Sequence, residues 1–576
     1  MRARDFLGGF MVTSALLAVT VATVNAVELR KVEVEDLREP SATEWPWDSV
    51  VSPGGAYVYT VVSAVPSSDA TVRAFARASD GSLSPIGEPI PLGSSSYAPH
   101  SLTISADGRH LYAGVGSGHL LALARDPSSG LLTSLGEVGD VSANLVASPD
   151  GANVYATYPS LLVTYARDAV SGLLTVVDVE NGVAGPAPID GAAGLAVSPD
   201  GRHVYLGSTG ASSDEGHDPS LIVFTRDEST GALDFVATVF DEQNGVEGLS
   251  FPAKVTVSPD GRHVYASGSI EGGADDVAMF SRDATSGTLT FLGRAAGGGF
   301  SLDDNGSIAV SPDGERVLVT GRELGGLTYR DGFSVFQRDV ATGLLTHLET
   351  HVRQPGFEAR DLAFTTGLAF APDGRDVYVT AGADAAVTAY RILPRCSAEP
   401  LTGCHVPARK HRSSIVLTGG ERDALVWKWR SGKATSAADL GDPSATTDYA
   451  FCVHRERDGS WDDAVELVVP AASRCGADEL SCWRDLGSAA GPAGYLFRDP
   501  AGQHDGVTEL RLKPQANGRV SILLRGGGAA FDRPSLPLGP AERVVAQLRT
   551  GDGACWSAAY AAPALQDDAE RFADRD

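Results

Sequence analysis

Short apolar runs alternate with polar turns along most of this chain, and the turns repeat. An apolar run ends in Ser-Pro-Asp-Gly or a variant, and a second apolar run leaves it. Leu195-Ala196-Val197 enters one such turn and Val204-Tyr205-Leu206 leaves it. Proline presets φ and Asp-Gly tolerates a tight reversal, so each copy predicts a β-hairpin. Copies end at Gly55, Gly108, Gly151, Gly201, Gly261, Gly314 and Gly374, spaced 43 to 60 residues apart.

A second phrase follows each of the first six copies. Val223-Phe224-Thr225-Arg226-Asp227 leads to Thr230-Gly231-Ala232-Leu233, and Val163-Thr164-Tyr165-Ala166-Arg167-Asp168 leads to Ser171-Gly172-Leu173. Related pairs are Arg77 with Gly81, Arg125 with Gly130, Arg282 with Gly287 and Arg338 with Gly343. This too is strand, turn, strand. Each repeat therefore carries four strands, the content of one propeller blade. The seventh repeat runs out at Val387-Thr388-Ala389-Tyr390-Arg391-Ile392 and lacks an outer strand. The strand-like segment Val27 to Val34 precedes the first full repeat and is expected to supply it, which hides the sheet edges of an open array.

Composition changes at Cys396, and all six cysteines lie from there on. An even count in an exported chain reads as disulfides. Short loops favour Cys396 with Cys404 and Cys475 with Cys482, leaving Cys452 with Cys555. No pair has the Cys-x-x-Cys spacing of a zinc site. Alternating runs such as Leu425-Val426-Trp427-Lys428-Trp429 and Val520-Ser521-Ile522-Leu523-Leu524 predict a β-sandwich. Trp427, Trp429, Trp461 and Trp483 could bind carbohydrate, but Trp427 and Trp429 share one face of a strand and are expected to pack in the core. The fold class is thus all-β: a seven-bladed β-propeller followed by a disulfide-containing β-sandwich. The predicted boundaries are 1–26 for a signal peptide, 27–395 for the propeller, 396–565 for the sandwich and 566–576 for a frayed acidic tail.

The 576 residues exceed one ordinary core, which fits two units. A formal net charge of −27 disfavours phosphate backbones, so nucleic acid is not an expected partner. Met1-Arg2-Ala3-Arg4, the apolar stretch Leu7 to Ala22 and the small residues around Val24-Asn25-Ala26 read as a secretory signal. The expected location is secreted or periplasmic, with no membrane span after cleavage and a monomeric state.

The two phrases, and Pro99-His100 ahead of the second hairpin, resemble the lactonase-type seven-bladed propellers. These are the 6-phosphogluconolactonase family and its carboxymuconate cyclase relatives. The resemblance runs from about Val27 to Arg395 and implies hydrolysis of a small lactone or sugar-acid lactone. The alternative is a non-catalytic extracytoplasmic propeller that binds a ligand or protein, with the sandwich as an adhesion-type accessory. Repetition sorts the candidates. His110, His203 and His263 share one repeat position and read as structural, as do the repeated Arg167, Asp168, Arg226 and Asp227. A propeller site is made by exceptions near the start of the innermost strands. Eight residues before the turn glycines stand Trp47, His100, Ala143, Ala193, Ala253, Gly306 and Thr366. Seven before stand Asp48, Ser101, Asn144, Gly194, Lys254, Ser307 and Gly367. His100 is the candidate proton carrier, Lys254 the candidate stabiliser of a carbonyl oxygen, and Asp48 the candidate base or orienting group. Trp47 and Asn144 are candidate ligand contacts. The arginines and glutamate that the resemblance implies are not found at these positions. No cofactor or metal is required by the pattern. Calcium is the alternative, through Asp48, Asn144, Asp190, Asp303, Asp304 and Asn305, with the loops Asp214 to Asp218 and Glu271 to Asp276.

Overall fold

The computed structural model describes residues 29–576 apart from 38–42, 66–68, 95–100, 116–117, 141–143, 183–186, 211–217, 250–251, 253, 269–275, 297–299, 302–306, 324–329, 353–361, 398, 420–423, 431–437, 476–479, 488–493, 515–518, 529, 532–533, 540 and 552. Seven antiparallel sheets follow one another along the chain, each at least four strands deep. Their innermost strands are Thr43–Val51, Ser101–Ile104, Leu145–Ala147, Ala192–Val197, Lys254–Val257, Ile308–Val310 and Thr365–Phe370. Each lies against the next, and the seventh lies against the first, so the sheets are blades around one axis. Leu29–Asp36 pairs antiparallel with Ala386–Ile392, from Leu29 opposite Ile392 to Asp36 opposite Ala386. The N-terminal strand thus completes blade 7. Its Leu29 is buried with Leu318, Phe333 and Val377 between blades 6 and 7.

The repeated polar residues explain how blades hold one another. Arg282 on blade 5 reaches back to blade 4. Its Nε donates to the Tyr205 hydroxyl at 2.9 Å and its Nη2 to both oxygens of Asp200 at 2.9 and 2.8 Å. The same Nη2 donates to Nδ1 of His203 at 2.6 Å, and Nη1 holds the Gly261 carbonyl within its own blade. Arg338 repeats this set on Tyr265, Asp260 and His263. Arg226 repeats it on Tyr155, Asp150 and Asn153. The phrase-two glycine follows from the same contact. Gly287 has φ +76°, its carbonyl accepts from Tyr205, and a Cβ there would sit 2.1 Å from the His203 ring. Only glycine fits this turn. The histidines singled out for their repetition are therefore interblade struts, as expected. The phrase-two Asp also behaves as expected: Asp283 Oδ1 accepts from the amides of Thr285 and Ser286 in its own turn.

The C-terminal unit is a sandwich. One sheet runs Trp483–Asp485, Tyr495–Arg498, Val507–Pro514, Val520–Gly526, Leu425–Arg430, Ser413–Thr418, Arg571–Arg575 and Gln566–Asp567 in spatial order. The facing sheet runs Ser460–Val469, Tyr449–Arg457, Arg543–Thr550 and Cys555–Ala561. Trp427, Trp429 and Trp556 are fully buried in the shared core. Trp483 is buried with them, and Arg543 covers the Trp461 ring at 5.0 Å. None of these rings forms an open carbohydrate platform.

Two expectations about this unit are corrected. The tail is not frayed: Arg571–Arg575 pairs with Ser413–Thr418 and buries Phe572. Phe572 and Asp574 face inward and Arg571 and Arg575 outward, the alternation of a half-buried strand. The disulfides are Cys396–Cys452, Cys404–Cys555 and Cys475–Cys482. Only the last matches the short-loop reading. Arg543–Thr550 separates the strands of Cys452 and Cys555, which puts these cysteines two strands apart, roughly 10 Å, beyond disulfide reach. Residues 396–404 instead cross that sheet, bonded to Cys452 at one end and Cys555 at the other, with Leu401 held by Gln547 between. Three disulfides suggest an extracytoplasmic protein.

Arg282→Met leaves Asp200, Tyr205 and His203 without their shared donor and is expected to cost roughly 2–3 kcal/mol in denaturant unfolding, discounted for the part-exposed Asp200. A charge-conserving Arg282→Lys, which cannot reproduce the fork, is expected to recover less than half of that.

Acid should unfold the propeller in two stages. Burial, then the charge of the clamp arginine, depresses His110, His203 and His263 below the usual histidine value. Their contribution is full above about pH 6.5 and is lost as pH falls towards the folded values. For Asp107, Asp200 and Asp260 burial acts upward, but the turn serine, the clamp arginine and a backbone amide outweigh it and hold them at about 2. Their contribution is lost between roughly pH 4 and pH 2. Stability measured against pH should show both declines. The first should shrink in His203→Asn, which copies the Asn153 that blade 3 carries at this position.

Candidate functional site

The innermost strands approach one another so closely that most of their starting positions must be small. A Cβ on Gly194 of blade 4 would stand 2.9 Å from the Lys254 Cα of blade 5. A Cβ on Gly367 of blade 7 would stand 3.1 Å from the Asp48 Cα of blade 1. The strands are then tied by hydroxyls. Thr157 Oγ1 accepts from the Asn144 amide at 3.0 Å, Thr320 Oγ1 from the Ser307 amide, and Thr366 Oγ1 lies 2.8 Å from Thr380 Oγ1. Thr157, Thr320 and Thr380 each stand six residues after a turn glycine. That periodic signal is present in the sequence but points to scaffolding.

Against this background three of the exceptional residues come together. Lys254 extends from blade 5 and donates from Nζ to Asn144 Oδ1 of blade 3 at 2.8 Å. The Lys254 charge also acts on Asp48 of blade 1. All three side chains lie deep in the ring yet keep some accessible surface. Burial raises the Asp48 pKa, and the Lys254 charge is the first influence against it. Burial lowers Lys254, opposed by Asp48. The two charges thus act on each other across the axis, each opposing the other's desolvation.

Asp48 is also a brace. Its Oδ1 accepts from the Ser49 amide at 2.8 Å and its Oδ2 from the Leu102 amide of blade 2 at 3.0 Å. The neighbouring Ser101 hydroxyl also favours its ionised form. Ser101 Oγ in turn accepts from the Leu145 amide of blade 3 at 3.1 Å. Asp48 and Ser101 therefore carry a chain of bonds across three blades. Ser101 stands among the aligned positions, but its small side chain gives no signal there, because its role depends on which strand lies beside it.

Trp47 is half-buried among the residues packed between blades 1 and 2, and its Nε1 donates to Ser63 Oγ at 2.9 Å. Its ring lies 6.1 Å from Trp45, which lies 5.2 Å from Phe364. His100 lies outside the described residues, as do Asp303, Asp304 and Asn305. Asp190 is buried, and its backbone bonds to Ser208 and Gly210. Asp276 pairs with Arg294 at 2.9 Å. Asp48 faces a lysine, which opposes a divalent cation at that point. Among the described residues, the one cluster of His, Cys, Asp or Glu close enough to share a metal is Cys475, Cys482 and His504 in the sandwich, where both cysteines are in a disulfide. Among the described residues no helix is long and apolar enough to cross a membrane.

The arrangement offers one central cation, an amide carbonyl that holds it and a carboxylate that balances it. It can receive an anion or polarise a carbonyl oxygen. Asp48, with both oxygens engaged, suits positioning better than proton abstraction.

Residues 218–360 match the family model described as Lactonase, 7-bladed beta-propeller. No curated protein matches the chain. Among solved structures, a putative 6-phosphogluconolactonase from Bacteroides uniformis is 21% identical, with a TM-score of 0.42 over 53% of this chain and 84% of that one. A periplasmic gluconolactonase from Pseudomonas aeruginosa is 21% identical, with a TM-score of 0.40 over 53% of this chain and 85% of that one. Hydrazine synthase from Kuenenia stuttgartiensis is 18% identical, with a TM-score of 0.36 over 49% of this chain and 73% of that one.

Asp48→Ala is expected to destabilise by about 2 kcal/mol, because the Leu102 amide loses its acceptor and Lys254 its counter-ion. Asp48→Ala with Lys254→Met should recover part of that loss, since the stranded charge is removed. Equilibrium unfolding of both variants checks this.

Proposed function

We propose that this chain is an exported lactonase-type propeller protein that binds a small sugar-acid lactone at the axial cluster and hydrolyses it, a reading supported by the family match over residues 218–360. The observation that carries this is Lys254, a non-repeating cation that reaches across two blades to Asn144. In the proposed reaction water adds to the lactone carbonyl and the ring C–O bond breaks, giving a hydroxy acid. Lys254 would steady the carbonyl oxygen and then the product carboxylate. His100 would take the water proton and return it to the leaving ring oxygen. Asp48 would hold Lys254 and the blade 2 strand in place rather than act as base. Asn144 would fix the Lys254 ammonium, and Trp47 would wall the site. The leading segment 1–26 would be the export signal.

One observation favours a second reading, binding without turnover. Both Asp48 oxygens already accept backbone amides, and Asn144 already holds Lys254, so the described axial cluster suits holding an anion better than abstracting a proton.

A panel of sugar-acid and simple lactones, assayed with the full chain with and without chelator, tests the proposal. Turnover is expected, with kcat/KM reduced on the order of 100-fold in Lys254→Met and in His100→Ala. No turnover of any lactone would remove the enzymatic reading. Calorimetric binding of a hydroxy acid without turnover would establish the second. Loss of turnover with chelator would return calcium to the site.

A further inference from the structure

We infer that the C-terminal sandwich is the closing part of the propeller, standing in for the one interblade clamp that the ring lacks. This goes beyond any activity at the axis and does not depend on it. The clamp runs from each blade back to the one before. Arg77 of blade 1 takes Asp373 and Asp376 of blade 7, and Arg125, Arg167, Arg226, Arg282 and Arg338 serve the next five junctions. Blade 7 has Ile392 where the clamp arginine belongs. It also has no strand-three-to-strand-four turn, because its outer strand comes from the N-terminus. The junction from blade 6 to blade 7 therefore has neither arginine nor glycine turn. Blade 6 has diverged in step. Arg316 stands at its histidine position and Leu318 at its tyrosine position.

The sandwich lies at this junction. A cleft of about 470 Å³ is walled by the blade 6 hairpin at Asp313 and Glu315, the blade 7 hairpin at Asp373, and Thr446, Asp448 and Arg549 of the sandwich. Arg549 is largely desolvated, and Glu315 of blade 6 is the first charge to support its ionised form. Its Nη1 donates to the Arg395 carbonyl at 2.8 Å, in the segment that leaves blade 7. Arg391, one residue before the clamp position and 2% exposed, ties the sandwich to blades 7 and 1 beside this junction. It donates to Asp376 Oδ1 at 2.6 Å, to the Thr446 carbonyl at 3.2 Å and to the Ser79 carbonyl of blade 1 at 3.0 Å. One guanidinium thus binds blade 7, blade 1 and the sandwich. The Cys396–Cys452 bridge fixes the connecting segment to the sandwich immediately after the last blade. A sandwich so placed keeps the junction shut from outside the ring.

Hydrogen exchange on the intact, oxidised full chain tests this. In Arg549→Met, amides of Leu29–Asp36, residues 310–318 and residues 371–379 are expected to exchange at least tenfold faster. Residues 153–167 and 203–226, on the far blades, should be unchanged. Glu315→Gln, an exposed change that removes the charge acting on Arg549 and on the neighbouring Arg316, should shift the same three segments in the same direction, about threefold. If Arg549→Met does not fold, Glu315→Gln decides alone. Seam segments that exchange as in the unmodified chain, or changes confined to the sandwich, would overturn the inference.

Discussion

One interaction sets the terms for this molecule: an arginine from six of the seven blades that bonds polar groups of the blade before it. Arg282 alone answers Tyr205, Asp200 and His203. Removing any such arginine strands several buried groups at once, so the repeat cannot drift one residue at a time. The same contact dictates the glycine of the next turn, because the His203 ring fills the space a Cβ would need at Gly287. Blade shape, repeat sequence and charge pattern are consequences of a single junction copied around a ring.

That junction lies beside the Ser-Pro-Asp-Gly hairpins. The axis is governed by a different constraint, the close approach of the innermost strands. Gly194 against Lys254 and Gly367 against Asp48 show how little room there is. A large polar side chain can enter the axis only where its neighbours have given way. Asp48, Asn144 and Lys254 come from alternate blades, which is the spacing that lets three such side chains meet without their strands colliding. The axis and the clamps therefore draw on different residues, and either can change without the other.

Much of the fold is legible in the sequence because its chemistry is local. Proline, Asp-Gly and the phrase-two Asp act within a few residues of themselves, so a hairpin announces itself wherever it occurs. The closing strand is legible by subtraction, from seven hairpins of one kind against six of the other. What fails depends on neighbours distant in sequence. Cys452 and Cys555 are kept apart by a strand from residues 543–550, which no spacing rule reveals. The residues from Gln566 on look like a solvated tail because their charge outweighs Phe572, whose burial needs the strand at Ser413–Thr418. At the axis, non-repetition picks out Asp48, Asn144 and Lys254, and the structure joins Lys254 to Asn144. Non-repetition does not show that Asp48 is already committed to the Ser49 and Leu102 amides.

A ring of blades is only as strong as its last junction, since opening one seam frees two sheet edges. Most of the ring uses the clamp for this. At the last junction the N-terminal strand serves blade 7 but brings no following turn and no arginine. Leu29 and Leu318 give that seam an apolar core in place of the tyrosine network, while Arg391 and Arg549 bring the sandwich against its hairpin end. The order of the two domains along the chain then has a physical reason. The sandwich must follow blade 7 directly, because the place it fills is the one where blade 7 stops.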